Sequence, residues 1–117
     1  MDNLSMGMYD SIEIKNVDNI PDGIYQTKNL DCRLVVYEIE GKSELFIKDR
    51  GVYSGSLKKA RVKNANGYIY FYNETDIYLI VLCNSKIGYS KKCEYGELLC
   101  GEGLLVDPDT FILEEEE

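Results

Sequence analysis

Two apolar runs, Tyr68 to Tyr72 (YIYFY) and Ile77 to Leu82 (IYLIVL), decide the fold class of this chain. Both consist of β-branched and aromatic residues, and the polar residues 73–76 (NETD) separate them, which is the pattern of a β-hairpin. With Glu74-Thr75 at its tip, each side of the hairpin receives a defined set of cross-strand pairs. These are Tyr72 with Ile77, Tyr70 with Leu79 and Tyr68 with Val81 on one side, and Phe71 with Tyr78 and Ile69 with Ile80 on the other. We expect both sides to be covered because both are apolar.

The segment before the hairpin alternates polar and apolar residues from Lys59 to Lys63 and then reaches an Asn66-Gly67 step, which favours a tight reversal. A three-stranded meander from Lys59 to Cys83 is therefore predicted. Further upstream, strand patterns cover Ser11 to Lys15, Arg33 to Glu40 and Glu44 to Lys48, and the last two flank a Gly41-Lys42 turn that predicts a second hairpin.

No window of twelve residues shows helical periodicity, so at most one short helix is expected. The predicted fold class is mainly β, a single small domain of antiparallel hairpins and a meander, arranged as a sandwich or an open barrel. Its predicted divisions are an amino-terminal extension (1–10), the β-rich domain (11–113) and an acidic tail (114–117). Toward the carboxyl end, Glu94 to Leu105 and Thr110 to Leu113 are candidate edge strands, with a turn at Asp107-Pro108-Asp109.

Composition bounds the class of protein. The 117 residues are 44% hydrophobic and 11% aromatic with a net charge of -8, which suits a folded domain and not a disordered one. No apolar run approaches the roughly 18 residues that cross a bilayer, and the start of the chain lacks a signal-peptide pattern, so a cytoplasmic protein without membrane contact is expected. Four widely spaced cysteines and no histidine predict free thiols, with no metal and no other cofactor. The alternatives for these cysteines are a zinc site and a disulfide.

Charge is distributed unevenly along the chain. Nine carboxylates and no Lys or Arg lie between Glu94 and Glu117, whereas Lys42 to Lys63 holds seven basic residues and two acidic ones. Carboxylates on a rigid surface can imitate the phosphates of a nucleic acid and compete for a basic groove. The candidate members of such an array are Glu94, Glu97, Glu102, Asp107 and Asp109. The alternative without a binding role is a solvated surface that keeps the protein soluble.

Two other groups of residues also have competing interpretations. The tyrosines of the hairpin, Tyr68, Tyr70 and Tyr72, predict a core face, a subunit contact or a patch that binds a protein partner; direct stacking on nucleic acid is disfavoured because an acidic protein repels phosphate. The basic residues Lys58, Lys59, Arg61 and Lys63 predict a solvated strand face, a phosphate-binding patch or a surface complementary to another copy. No residue pattern typical of catalysis is present, so the protein is not expected to be an enzyme.

The first forty residues carry a resemblance. The opening Met6-Gly7-Met8-Tyr9-Asp10, followed by Gln26-Thr27-Lys28-Asn29-Leu30-Asp31-Cys32, resembles a group of small uncharacterised phage and prophage proteins that begin MGMYD and carry a QTKxLxC segment. Some relatives add a CxxC element before that segment, and this chain has no cysteine there. The resemblance implies a phage origin and no particular mechanism.

Phage origin and acidic polarity together lead to one functional hypothesis. The protein is expected to inhibit a host defence protein that handles nucleic acid, in the manner of an anti-CRISPR protein, through a surface that mimics phosphates. The alternatives are a phage accessory or assembly module that acts by homo-oligomerisation, and a sponge that binds a signalling nucleotide near Lys59, Arg61 and Lys63.

Overall fold

A computed structural model describes residues 9–28, 30, 34–49, 59–94 and 105–115. Nine strands account for most of these residues. They are β1 (Asp10–Lys15), β2 (Gly23–Thr27), β3 (Val36–Glu40), β4 (Phe46–Asp49), β5 (Ala60–Lys63), β6 (Gly67–Tyr72), β7 (Ile77–Cys83), β8 (Lys86–Cys93) and β9 (Ile112–Glu115). In this part of the chain the one helical element is a 3-10 turn, Pro108–Thr110. The predicted mainly β class with at most one short helix is confirmed.

All nine strands belong to one sheet that is not closed, in the order β8-β7-β6-β2-β1-β3-β4-β5-β9. Neighbouring strands are antiparallel except β1 and β3, which run parallel from Ser11↔Val36 to Lys15↔Glu40. The buried side chains of β1 to β7 meet in a single hydrophobic cluster, so the sheet curls around one core. Within the described residues, no helix is long and apolar enough to cross a membrane.

The hairpin of β6 and β7 has the register that the sequence predicts, from Tyr72↔Ile77 through Tyr70↔Leu79 to Tyr68↔Val81. Its two sides differ in burial, however. Phe71 and Ile80 on the inner side are fully buried, whereas the three tyrosines on the outer side are half-buried. The prediction that both sides are covered is therefore correct for the inner side, whereas the outer side is only partly covered.

The predicted meander from Lys59 to Cys83 is wrong in its first strand. β5 pairs with β4 and β9 and not with β6, and the third strand beside the hairpin is β8. The Asn66-Gly67 step forms a corner in place of a tight hairpin. Asn64 has a left-handed backbone with φ 64°, Gly67 has φ 124°, and Ala65, which lies between them, is fully buried. At this corner, with Ala65 buried, the chain passes from β5, which pairs with β4, to β6, which pairs with β2 and β7.

Most of the other predicted strands that fall on described residues correspond to observed ones. The candidate edge strand from Glu94 to Leu105 lies almost wholly outside the described residues, and the sequence patterns do not predict β8. β3 and β4 form the second hairpin, with Tyr37 opposite Ile47. Strand β2 was not predicted; Thr27 within it is fully buried and its Oγ1 donates to the carbonyl of Tyr70 at 2.7 Å. At the carboxyl end, the turn expected at Asp107-Pro108-Asp109 is the 3-10 turn, and β9 continues through Glu115, two residues into the segment predicted as a tail.

Candidate functional site

Two of the predicted carboxylates, Asp107 and Asp109, lie together in the segment that leads into β9. The chain is anchored there by the backbone N–H of Val106, which donates to the carbonyl of Tyr68 at 3.0 Å. The Asp107 carboxylate caps the 3-10 turn by accepting the N–H of Asp109 at 3.0 Å, and its carbonyl accepts Thr110 Oγ1 at 2.7 Å. These bonds hold both carboxylates on an ordered backbone.

Glu94, the third predicted carboxylate that the structure describes, is at the other end of the hairpin. It follows Cys93, which pairs with Ile77 beside Tyr72, whereas Leu105 forms a bridge with Tyr68. The length of β6 therefore separates Glu94 from Asp107. Glu97 and Glu102 lie outside the described residues. Glu114 on β9, exposed like Asp109, adds a carboxylate to the group at the carboxyl end.

The tyrosine stripe lies on one face, as its spacing predicts. Tyr68, Tyr70 and Tyr72 are on the outer side of β6, opposite the apolar side chains of Val81, Leu79 and Ile77. Leu79 is buried and the other five side chains are intermediate in exposure, so this face is neither a buried core face nor a fully solvated one. A groove of about 580 Å³ begins at Tyr72 and extends past Ile24, which is 66% exposed.

The basic residues of β5 are neutralised within the molecule. Lys63 Nζ donates to both oxygens of Glu44, at 3.0 and 2.9 Å, and Arg61 Nε lies 4.0 Å from the same carboxylate. The hydrogen bond from Lys63 is the main reason that the pKa of Glu44 is below its ordinary value. Lys59 precedes β5 and is exposed, and Lys58 lies outside the described residues.

A second set of ion pairs crosses β1, β3 and β4. Lys48 Nζ contacts Glu13 Oε1 at 2.7 Å, and Lys15 Nζ contacts Glu38 Oε2 at 3.1 Å. The hydrogen bond from Lys48 lowers the pKa of Glu13, and the hydrogen bond to Glu38 raises the pKa of Lys15. Most of the cations on this face of the sheet are thus paired with carboxylates of the same sheet.

The paired charges surround an open cleft of about 530 Å³, which we call the charged cleft. It is lined by Glu38, Glu40, Lys42, Ser43, Glu44, Phe46, Arg61 and Lys86. Three glutamates share it with three cations, so an anionic ligand entering it would meet negative charge as well as positive.

A smaller cleft of about 340 Å³ was not predicted from the sequence; we call it the turn cleft. Its walls are residues 16–19 after β1, Gly41-Lys42 after β3, and residues 87–90 of the edge strand β8. These pieces are distant in the chain, and no local pattern brings them together. The one sequence signal is the pair of asparagines, Asn16 and Asn19, which are residues that tolerate the left-handed turn conformation they adopt here.

Within the described residues, no group of three or more Cys, Asp or Glu side chains is placed to hold a metal ion. Cys83 is exposed, Cys93 is buried, and both are thiols and not disulfide-bonded. The features that remain as candidates for recognition are therefore the carboxylates near β9, the tyrosine face and the turn cleft.

Comparisons with protein-family models, with curated proteins and with solved structures found no match to this chain.

Proposed function

We propose that this protein is a non-catalytic binding protein that occupies a basic, nucleic-acid-binding surface of a host protein through carboxylates near its carboxyl end. The observation that carries the proposal is the division of charges into paired and unpaired groups. In the described part of the chain, Asp107, Asp109 and Glu114 have no ion-pair partner, whereas Arg61 and Lys63 are held by Glu44.

This division matters for recognition because an internal ion pair presents little net field to a partner, whereas an unpaired carboxylate attracts a basic surface over a distance of about 8 to 10 Å in physiological salt. The surplus of negative charge, -8 over the chain, is then presented by groups such as those near β9. The ordered turn at Asp107 reduces the entropy lost when these groups bind. Pairing of Arg61 and Lys63 with Glu44 also disfavours a nucleotide sponge at β5.

The resemblance to phage proteins supplies the biological setting of the proposal. A host defence protein that binds DNA or RNA, such as a CRISPR effector, has the basic groove that such carboxylates fit. Inhibition follows because the groove cannot hold the protein and a nucleic acid at the same time.

The test begins with a pull-down from host lysate and identification of bound proteins by mass spectrometry. The recovered partner, once purified, is tested for displacement of its nucleic acid by the full chain. Changing Asp107→Asn, Asp109→Asn and Glu114→Gln together should abolish displacement, since asparagine retains the cap of the 3-10 turn. Displacement by the full chain should also weaken steeply with added salt.

A matched control removes the same number of charges elsewhere, by Asp18→Asn, Glu40→Gln and Glu74→Gln, and should leave displacement nearly intact. Equal loss in the two triple variants would show that only total charge matters and would refute a defined acidic site. A third variant, with Glu94, Glu97 and Glu102 changed to glutamine, measures how much the other predicted carboxylates contribute to displacement of the nucleic acid.

A second candidate function is supported by the half-buried outer face of the β6–β7 hairpin. This surface presents aromatic and aliphatic side chains of intermediate exposure, those of Tyr68, Tyr72, Ile77 and Val81. Such a composition is typical of contacts between subunits. In this function the protein is a homo-oligomeric accessory module. Light scattering discriminates: a stable oligomer that dissociates on Tyr70→Ser supports this function, and a monomer at high concentration refutes it.

A further inference from the structure

The turn cleft has walls that are fixed by hydrogen bonds between distant parts of the chain. Ser90 Oγ on β8 donates to the carbonyl of Asp18 at 2.8 Å, and Asn19 Nδ2 donates to the carbonyl of Ser90 at 3.1 Å. The third wall is attached by Gly41, whose N–H donates to the carbonyl of Lys15 at 2.8 Å with φ 54°. The cleft is therefore a formed feature of the fold and not a gap between independent loops.

Four polar side chains of this cleft have no partner within the described part of the chain. Among the described residues, the side chains of Asn16, Asp18, Lys42 and Tyr89 make no hydrogen bond or ion pair. The charged cleft differs, because Glu38, Glu44 and Arg61 there are already paired. Unused donors and acceptors that converge on one cleft are what a polar ligand requires.

Three of the residues that line the turn cleft are apolar or have no side chain. Val17 is buried, Ile87 is half-buried against the core, and Gly88 adds no side chain. Tyr89 also lines the cleft and is 54% exposed. Strand β8 has an irregular register at this place, since Val81 pairs with Tyr89 whereas Leu82 pairs with Ile87, and such bulges change the direction of a side chain.

We propose that the turn cleft binds a neutral sugar ring of a glycan. A pyranose has an apolar C–H face that can lie on Tyr89, and a rim of hydroxyls that both donate and accept hydrogen bonds. Asp18 accepts from hydroxyls, Lys42 donates to them, and Asn16 does both. The lining carries one negative and one positive charge, so it favours neither an anion nor a cation.

The volume is consistent with this ligand, since about 340 Å³ is at the lower end of the range of small-molecule sites, roughly 300–1,000 Å³. The proposal is independent of the proposed function, because Asp107, Asp109 and Glu114 do not line this cleft. Loss of one activity in a variant therefore leaves the other open to measurement.

The experiment is a titration of the ¹⁵N-labelled full chain with the methyl glycosides of glucose, galactose, mannose and N-acetylglucosamine, followed by amide chemical shifts. With at least one of these sugars, shifts should be confined to residues 16–19, 41–42 and 87–90. Tyr89→Ala should weaken binding roughly tenfold, whereas Tyr89→Phe should retain it because the ring remains. The control Tyr72→Ala removes a tyrosine from a different groove and should change nothing.

Charge is tested separately with the double variant Asp18→Asn, Lys42→Gln, which keeps hydrogen-bonding capacity and removes both charges. Sugar binding should persist in it. Free glycine serves as a zwitterionic probe: if glycine shifts the same amides and the sugars do not, or if the double variant loses all binding, the ligand is a zwitterion and the proposal is wrong. The absence of shifts with all four sugars also overturns it.

Discussion

Replacing Ser85 with alanine should lower the free energy of unfolding by about 1–3 kcal/mol, because it leaves a buried backbone N–H without an acceptor. Ser85 is fully buried in the turn between β7 and β8. Its Oγ accepts the N–H of Ala65 at 2.9 Å, its own N–H donates to the carbonyl of Ala65 at 2.7 Å, and its carbonyl accepts the N–H of Leu45 at 2.9 Å. One residue thus joins the β5–β6 corner to the start of β4.

The magnitude follows from what the alanine removes. The two backbone bonds of Ser85 remain, and only the Oγ is lost, so the N–H of Ala65, itself fully buried, has no acceptor from this side chain. The left-handed backbone at Ser85, φ 71°, is equally unfavourable for serine and alanine and cancels in the comparison. Glycine loses the same bond but relieves this strain, so Ser85→Gly should be less destabilised than Ser85→Ala by about 0.5 kcal/mol or more.

Urea unfolding of the three proteins measures these differences. With a slope of about 1.5 kcal/mol per molar, Ser85→Ala should lower the midpoint by about 0.7–2 M without a change of slope. The matched control is Asn84→Gly at the neighbouring turn position, which is also left-handed, at φ 54°, but exposed. It should stay within about 0.5 kcal/mol of the parent protein or be more stable.

A midpoint for Ser85→Ala that equals that of the parent would refute the reasoning, since it would mean that the Ala65 N–H needs no acceptor there. A Ser85→Gly variant less stable than Ser85→Ala would refute the account of backbone strain.

Two further predictions concern pH. The pKa of Glu44 is lowered in the folded protein, chiefly by the hydrogen bond from Lys63. The contribution of Glu44 to stability is therefore complete above pH 4.5 and is lost as the pH falls through the lowered pKa of the folded state. Glu44→Gln should flatten the acid limb of a stability–pH curve, whereas Glu74→Gln, at an exposed residue without an ion pair, should not. Burial raises the pKa of Tyr25 and of Tyr78 above 10.0, so the free energy of unfolding should decline as the pH rises past that value. An absorbance titration should show tyrosines that ionise at a higher pH than the others, and Tyr25→Phe should remove one of them. A titration without such late-ionising tyrosines would contradict the prediction.

The sequence was most informative where neighbours in the chain are also neighbours in the sheet. The register of β6 and β7 follows from an apolar alternation on both sides of a four-residue polar break, and the β3–β4 hairpin follows from a similar pattern around Gly41. Strand β2 was missed because Gly23 and the preceding Pro21 are typical of turns. Its pairing with β1 and its buried Thr27 supply the stabilisation that local propensity does not.

For the candidate sites, the sequence could place side chains on a common face of one strand but could not show what lies opposite them. The spacing of Arg61 and Lys63 predicts a shared face, whereas their neutralisation by Glu44 depends on the pairing of β5 with β4. Glu94 and Asp107 belong to the same acidic segment of the sequence. They lie toward opposite ends of the hairpin, because β8 ends beside Ile77 and Leu105 lies beside Tyr68.

Alternation and turn chemistry act over a few residues, so the amino-acid pattern alone is enough to predict β-strands, the hairpin turns and the side chains that share a strand face. It does not predict that β1 lies parallel to β3, that β5 pairs with β4 and not with β6, or that Asn16, Lys42 and Tyr89 line one cleft. These contacts join residues far apart in the chain, and their free energy comes from burying one common core, which no local pattern specifies.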